Sequence, residues 1–134
     1  MKLHISIVTP TKTILETDAD EIVIPTTEGE IAVLPHHIPL VTHIASGELL
    51  IKHGDKTDSF AVTGGFAEIG NNTVSILADY AVHAKDINER KAEEAKERAK
   101  HLMEQKLSEK DFAEAQAELE RAMAQIRLIQ KLRK

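Results

Sequence analysis

The chain has 134 residues, a formal net charge of −5 and no cysteine, so it can build one modest domain with an extension and cannot form disulfides or cysteine-based metal sites. Three phenylalanines, one tyrosine and no tryptophan offer few platforms for stacking bases, and the negative charge opposes phosphate backbones, so nucleic acid is not expected as a partner. No stretch has the continuous apolar run of a signal peptide or a membrane span, so we expect a soluble chain that is not exported by that route.

Glycine and proline divide the chain into two parts. All six glycines and four prolines lie in the first 70 residues. Turn residues of this kind punctuate sheets, whereas their absence favours long helices, so we predict a β-domain over residues 1–84 and a helical region over 85–134. The charge is also uneven, because residues 1–85 carry eleven acids and five bases while residues 86–134 carry eleven acids and twelve bases. The first part is therefore acidic and the second nearly balanced.

The N-terminal part contains short runs in which apolar and polar residues alternate. Leu3, Ile5 and Ile7 alternate with polar neighbours, which is the pattern of a half-buried strand. Residues 53–56 can form a tight hairpin turn, and Gly64–Gly65 predicts a bulge or a sharp strand bend. Many closely spaced strands with no helix between them predict an antiparallel β-sandwich or flattened barrel. The other predicted strands are 21–24, 30–34, 40–44, 48–52, 58–63, 66–69 and 73–77.

Residues 85–134 predict an antiparallel hairpin of two helices, at about 88–106 and 111–132. Asn88 is a plausible N-cap of the first helix, and Ser108 with Asp111 resembles a capping-box start for the second. Each helix has apolar residues at spacings of three and four, which indicates that the two pack together. These residues are Ala92, Ala95, Ala99 and Leu102 in the first helix and Phe112, Ala115, Leu119, Ala122, Ile126 and Ile129 in the second.

The end of the second helix has more apolar surface than one seam needs, since Met123, Leu128 and Leu132 fall outside it. This surface can pack onto the sheet, or the helix can leave and insert into a groove of another protein. A helix with both docking sites would form a switch. No acid follows Glu120. The five cations that follow can complement the helix dipole or dock an acidic partner. They are Arg121, Arg127, Lys131, Arg133 and Lys134.

Three motifs closely resemble, in order and at family spacing, the epsilon subunit of F-type ATP synthases of the bacterial and plastid kind. They are TEGEIAVLPHHIPL at residues 27–40, TGGFAEI at 63–69 and VSILAD at 74–79. The resemblance continues through residues 96–99 and 122–127, so it covers essentially the whole chain. It implies the same sandwich and helical hairpin that the residue patterns predict.

The resemblance also implies a non-catalytic subunit of the rotating central stalk. In this family the sandwich binds the gamma subunit and sits on the ring of c subunits, helping to couple proton or sodium passage to ATP synthesis. The hairpin restrains ATP hydrolysis by changing from a folded-down to an extended state. In the extended state the second helix enters the catalytic head, which the beta and alpha subunits form, and contacts an acidic segment of the beta subunits. The chain would then meet a membrane only through the complex, at the cytoplasmic face of a bacterial plasma membrane or the stromal face of the thylakoid.

The resemblance also implies roles for single residues: Glu30 and His37 match the family positions that face the c-ring. Ala32 and His36 stand where the family commonly has glycine, and a histidine at position 36 would adopt a positive φ only with some strain. The residues implied to contact the catalytic head are Arg121, Met123, Ile126, Arg127, Lys131, Arg133 and Lys134.

No cofactor is expected apart from a regulatory ATP, which some family members bind at an Ile-Asp-x-x-Arg-Ala motif. The matching run here has asparagine for aspartate at 88 and lysine for arginine at 91. Lysine keeps the charge but loses the bidentate fork, and Asn88 can simply cap the helix. The candidate ATP residues are Ile87, Asn88, Lys91 and Ala92, with Arg98 and Arg121 as phosphate partners.

Two other functions compete with this one. A metal-dependent sandwich enzyme would draw its ligands from His36, His37, His43 and His53 with Glu30 or Glu48. A free-standing adaptor would use the same sandwich and hairpin to dock a different acidic partner.

Overall fold

The computed structural model describes residues 2–133, and within them a β-domain of eight strands is followed by a hairpin of two helices. The predicted order of sheet and hairpin is confirmed. The strands are β1 (Leu3–Val8), β2 (Thr13–Ala19), β3 (Glu21–Thr26), β4 (Gly29–Val33), β5 (Leu40–His43), β6 (Gly47–His53), β7 (Lys56–Ile69) and β8 (Thr73–His83). A short 3₁₀ turn at Ala84–Asp86 leads into α1 (Glu89–Met103) and α2 (Glu109–Leu132).

The strands are hydrogen-bonded in the order β2-β1-β8-β7-β6-β3-β4, and β5 pairs with the far end of β7. Among the described strands, the pairings are antiparallel except that between β1 and β8, which is parallel. The prediction of an antiparallel sandwich therefore needs this one correction. Neighbouring parallel strands need a long connection, and here β2 to β7 lie between β1 and β8 in the chain.

β7 turns a corner of the sandwich at Gly64–Gly65. Phe60 and Val62 are buried before the corner and Ala67 and Ile69 after it, so the inward-facing positions change from even to odd. Both glycines have positive φ, 59° and 109°, while the register with β8 is kept across them. The predicted bend is present, but the two strands predicted on either side of it are one continuous strand.

The core of the β-domain is aliphatic, with Phe60 as its largest side chain. Burying each such side chain stabilises the fold by about 1.5–3 kcal/mol. Its large members are Leu3, Ile5, Ile7, Ile22, Ile24, Val33, Ile44, Leu49, Ile51, Phe60, Val62, Ile69, Val74 and Ile76.

Some element boundaries differ from those the sequence predicts. β2 was not predicted, β8 continues to His83, α1 ends at Met103, and α2 begins at Glu109. The predicted caps are present, because the Asn88 side chain accepts a hydrogen bond from the Lys91 N–H and the Ser108 side chain accepts one from the Asp111 N–H, both at 3.1 Å.

The hairpin seam is built from small residues, as the spacing predicts. α1 buries Ala92 and Ala99, and α2 buries Ala115, Ala122 and Ile126 at the predicted seam positions. Phe112, the first predicted seam residue of α2, is 40% exposed. The seam therefore tightens towards the C-terminal half of α2.

Candidate functional site

α2 lies folded down on the β-domain through a small apolar contact. Ala124 and Leu128 are 6% and 3% exposed and pack with Ala61 of β7, and Val82 and Ile87 are among the partly buried residues around them. Of the apolar residues predicted to lie outside the seam, Leu128 is therefore docked on the sheet. Met123 is half-buried and Leu132 is 51% exposed.

Polar contacts surround this apolar contact. Gln125 donates a hydrogen bond to the Tyr80 hydroxyl of β8, and the Arg121 guanidinium lies 5.8 Å from the Tyr80 ring centre. Burial raises the pKa of the Tyr80 phenol above its ordinary value, although the Gln125 hydrogen bond and the Arg121 charge oppose this. Tyr80 therefore stays neutral and joins the sheet to α2 at physiological pH.

The end of α2 is held by ion pairs. Lys131 donates to the Glu48 carboxylate on β6, and Arg133 donates to Glu89 in the first turn of α1. The Glu48 side chain is only 10% exposed, whereas that of Lys131 is 61% exposed. Arg127 is exposed and forms no ion pair with any residue in the range 2–133.

The other residues implied to contact the catalytic head are distributed unevenly. Ile126 is buried in the hairpin seam, whereas Met123 and Arg121 are half-buried. Lys134 lies outside the described residues. Two of the cations at the end of α2, Lys131 and Arg133, are thus directed at acids of their own chain in this folded-down state.

A cavity of about 370 Å³ lies where α1, α2 and β8 meet, and it brings together most of the candidate ATP residues. Asn88, Lys91, Ala92, Arg98 and Arg121 line it, whereas Ile87 packs instead in the apolar contact below α2. Arg98 is already engaged, because its guanidinium donates to the Glu118 carboxylate at 2.7 Å and 3.2 Å. Asn88 is engaged as the helix cap.

Sequence reasoning missed four polar residues that line this cavity: Tyr80, Asp86, Glu118 and Gln125. Tyr80 was missed because the last strand was predicted to end at residue 77, three residues before it. Gln125 and Glu118 lie on the polar side of the predicted seam, and nothing in their spacing indicates a partner on α1 or β8.

A second cavity, of about 320 Å³, lies under the end of α2. Acids of the sheet and cations of the helix face each other across it, since its lining includes Glu30, Glu48, Arg127, Leu128 and Lys131. Glu30 lies on β4, opposite Pro25 of β3. The structure therefore places Glu30 close to the helix as well as to the loop edge of the sheet.

His36 and His37 lie in the loop between β4 and β5. His36 adopts a φ of 70°, the left-handed conformation that the family glycine would take without strain, and its N–H donates to the Asn72 side chain at 2.7 Å. The His37 Nδ1 atom lies 2.6 Å from the carbonyl oxygen of Ile38 and donates to it. This fixes the imidazole against its own loop.

An apolar surface, called here the outer patch, lies beyond the Gly64–Gly65 corner. It consists of Val41 on β5, Phe66 on β7 and Leu77 on β8, which are 66%, 47% and 48% exposed. Phe66 is registered opposite Leu77 and His43, and Val41 lies two residues from His43, so all three point to one face of the sheet. Ile38, in the adjoining loop, is 80% exposed.

Within residues 2–133, no three His, Asp or Glu side chains are grouped as a metal site would require, so the ligand set considered for a metal enzyme is not assembled. Among the same residues, neither helix is both long and apolar enough to cross a membrane.

Family models match the chain along nearly its whole length. The beta-sandwich domain of the ATP synthase delta/epsilon chain matches residues 2–84, and the long alpha-helix domain of the same chain matches residues 85–130. The ATP synthase epsilon chain of Nitratidesulfovibrio vulgaris is 44% identical over 126 residues, which cover 94% of this chain and 94% of the relative. That of Nitrosomonas europaea is 44% identical over 132 residues, which cover 98% and 94%.

Solved structures give the same result. A chain from the Euglena gracilis mitochondrial ATP synthase, in a cryo-EM structure of its OSCP, F1 and c-ring in rotational state 1, superposes with a TM-score of 0.72. It is 28% identical, and the match covers 92% of this chain and 78% of that one. A chain from the central stalk and c-ring of the Tetrahymena thermophila enzyme shares the fold, with a TM-score of 0.55 at 22% identity over 64% of this chain and 69% of that one.

Proposed function

Because the chain belongs to the delta/epsilon chain family of ATP synthases, we propose that it is a non-catalytic epsilon subunit of the central stalk whose α2 restrains ATP hydrolysis. Its partners are the gamma subunit, the c-ring, and the beta and alpha subunits of the catalytic head. The bacterial relatives support a location at the cytoplasmic face of the plasma membrane, peripheral and reached through the complex, rather than at the stromal face of the thylakoid.

The observation that carries this proposal is the weak docking of α2. The apolar contact buries Ala61, Ala124 and Leu128, of which only Leu128 is large. The ion pairs around it involve Lys131 and Arg133, which are 61% and 64% exposed, and exposed pairs typically contribute about 0–1 kcal/mol each. A helix held in this way can leave the sheet and present its apolar and cationic residues to another groove.

The β-domain supplies the rotor contacts in this proposal. The outer patch is apolar, exposed and on a different part of β7 from Ala61, so gamma can occupy it while α2 remains folded down. Glu30 and His37 remain the proposed c-ring-facing residues. Docking of α2 near Glu30 means that departure of the helix also changes the charge environment of this edge.

Gamma binding can be tested at the outer patch. Phe66→Asp places a charge at its centre and should abolish co-purification with gamma, because burying an unpaired carboxylate is costly. Leu132→Asp is the matched control, since Leu132 is similarly exposed but lies on α2. If the Phe66 variant still co-purifies with gamma at the control level, gamma docks elsewhere.

Regulatory ATP is a second part of the proposal, supported by the cavity of about 370 Å³ that contains Asn88, Lys91 and Arg121. ATP phosphates there would compete with Glu118 for Arg98, and a ligand spanning α1, α2 and β8 would favour the folded-down hairpin.

Isothermal titration with millimolar ATP tests this site. Binding heat that is lost in Arg98→Gln but kept in Arg90→Gln is the expected result, because Arg90 pairs with Glu94 along the exposed side of α1. No heat with the unaltered chain would end the ATP proposal.

A further inference from the structure

The carboxylate of Glu48 lies beneath the end of α2. It belongs to β6, its side chain is 10% exposed, and it accepts a hydrogen bond from Lys131, 83 residues away in the chain. Leu128, one turn before Lys131, is 3% exposed and lines the same cavity. Glu48 is therefore the buried partner of the Glu48–Lys131 pair, and α2 covers it.

Two acids near Lys131 favour its charged form. The hydrogen bond to Glu48 raises the pKa of the Lys131 ammonium, and Glu30 across the cavity adds a smaller attraction. Arg127 is a second cation that lines the cavity. At neutral pH Lys131 is thus held as a cation by two acids of its own sheet.

The same cation is implied in both states of the hairpin. Folded down, Lys131 is paired with Glu48, and extended, it would meet an acidic surface of the catalytic head. A single ammonium cannot satisfy two acids that lie on different proteins and in different positions of the helix. The two acids therefore compete for it, and the competition biases the equilibrium between the states.

We propose that Glu48 is an intramolecular latch, an acid on the β-domain that holds α2 down. Its carboxylate pairs with Lys131, the cation that the catalytic head would otherwise bind. The consequence for hydrolysis rests on the proposed inhibitory function, whereas the latch itself is a property of the free chain. Removing the acid releases the helix with its cation intact and strengthens inhibition. Removing Lys131 releases the helix but also deletes the contact to the head, so inhibition does not strengthen.

The free chain tests the latch directly. Because it has no cysteine, Ala124→Cys introduces one thiol at a position that is 6% exposed and is uncovered only when α2 leaves the sheet. In this background Glu48→Gln should accelerate thiol labelling about two- to fivefold, the range expected for an ion pair with one exposed partner. A thiol at Val62, which is fully buried in the β-domain core, reports global unfolding and should keep its rate.

A matched control separates the latch from a general loss of charge. Glu21→Gln also removes a carboxylate that pairs with a lysine, since Glu21 lies 3.7 Å from Lys52 across β3 and β6, and it should leave labelling at position 124 unchanged. The charge swap that combines Glu48→Lys with Lys131→Glu should restore slow labelling. If Glu48→Gln does not accelerate labelling, or the swap does not restore it, the latch is refuted.

The same variants in the complex show the consequence for hydrolysis. With Glu48→Gln, hydrolysis by the catalytic head should fall below the level seen with the unaltered chain, and with Lys131→Gln it should not. Faster labelling together with unchanged hydrolysis would uphold the latch and contradict the inhibitory function. Stronger inhibition without faster labelling would refute the latch and leave the inhibitory function in place.

Discussion

Gly65 is the residue on which the corner of the sandwich depends. Its φ is 109°, and a Cβ atom built on it would lie 2.0 Å from the carbonyl oxygen of Leu77 on the neighbouring strand. Both the backbone conformation and the close approach of β8 therefore require glycine.

Gly65→Ala should lower the free energy of unfolding by roughly 2–4 kcal/mol, because β8 must move to admit the methyl group. Denaturant unfolding measures this loss. Gly54→Ala is the control, since Gly54 also has positive φ but has no atom within 4 Å of the added methyl, and it should cost about 1 kcal/mol. Equal losses in the two variants would mean that strand contact at the corner is unimportant.

Asp20 gives the β-domain a pH-dependent contribution. Hydrogen bonds from the Lys2 ammonium at 2.5 Å and the Gly54 N–H at 2.6 Å lower the pKa of its carboxyl group. The pKa of Asp20 is thus lower in the folded than in the unfolded chain, where it is about 4. These contacts therefore stabilise the fold fully at pH values above about 4, and the stabilisation is lost as the pH falls through the pKa of Asp20 in the folded state.

Asp20→Asn should therefore lower the free energy of unfolding at pH 7, and the difference should vanish as the pH falls well below 4. Urea unfolding at a series of pH values measures it. Asp55→Asn, at an exposed carboxylate of the turn after β6, is the charge-matched control. A difference between Asp20→Asn and the unaltered chain that persists at low pH would contradict this assignment.

At the scale of the elements, the docking of α2 depends on Leu128. Leu128→Ala removes the large side chain of the contact with Ala61 and should weaken docking by about 2 kcal/mol. An undocked helix frays, so hydrogen exchange of α2 amides should accelerate roughly thirtyfold while that of β7 is unchanged. Leu132→Ala deletes the same atoms at a half-exposed site and should have little effect. Equal exchange in both variants would show that α2 does not rest on Leu128.

The elements were predictable from sequence where one face of each is buried. β1 and the hairpin carry clear periodicities, and Asn88 and Ser108 are caps as predicted. β2 carries none, because it is an edge strand in which Ile14 and Leu15 are adjacent and only Ala19 is fully buried. Its hydrogen bonding to β1 depends on the tertiary structure, which the local sequence pattern does not predict.

At the scale of the whole molecule, charge composition indicated an acidic β-domain and a cationic helix end, but not which groups pair. Lys131 with Glu48 and Arg133 with Glu89 join positions 83 and 44 residues apart, and such pairings follow only from where α2 docks. The parallel pairing of β1 with β8 is likewise non-local. The α1 side of the cavity beside Tyr80 was predictable, because residues 87–92 match the family's ATP motif. No feature of the sequence indicated its β8 side.

The inhibitory role of α2 is tested by steady-state ATP hydrolysis by the purified catalytic head from the same source, with the full-length chain and with a version that ends at Lys110. The truncated version lacks nearly all of α2 but keeps the β-domain. We expect both to bind through gamma, and only the full-length chain to suppress hydrolysis. Equal hydrolysis with the two bound proteins would show that α2 is not the inhibitory element.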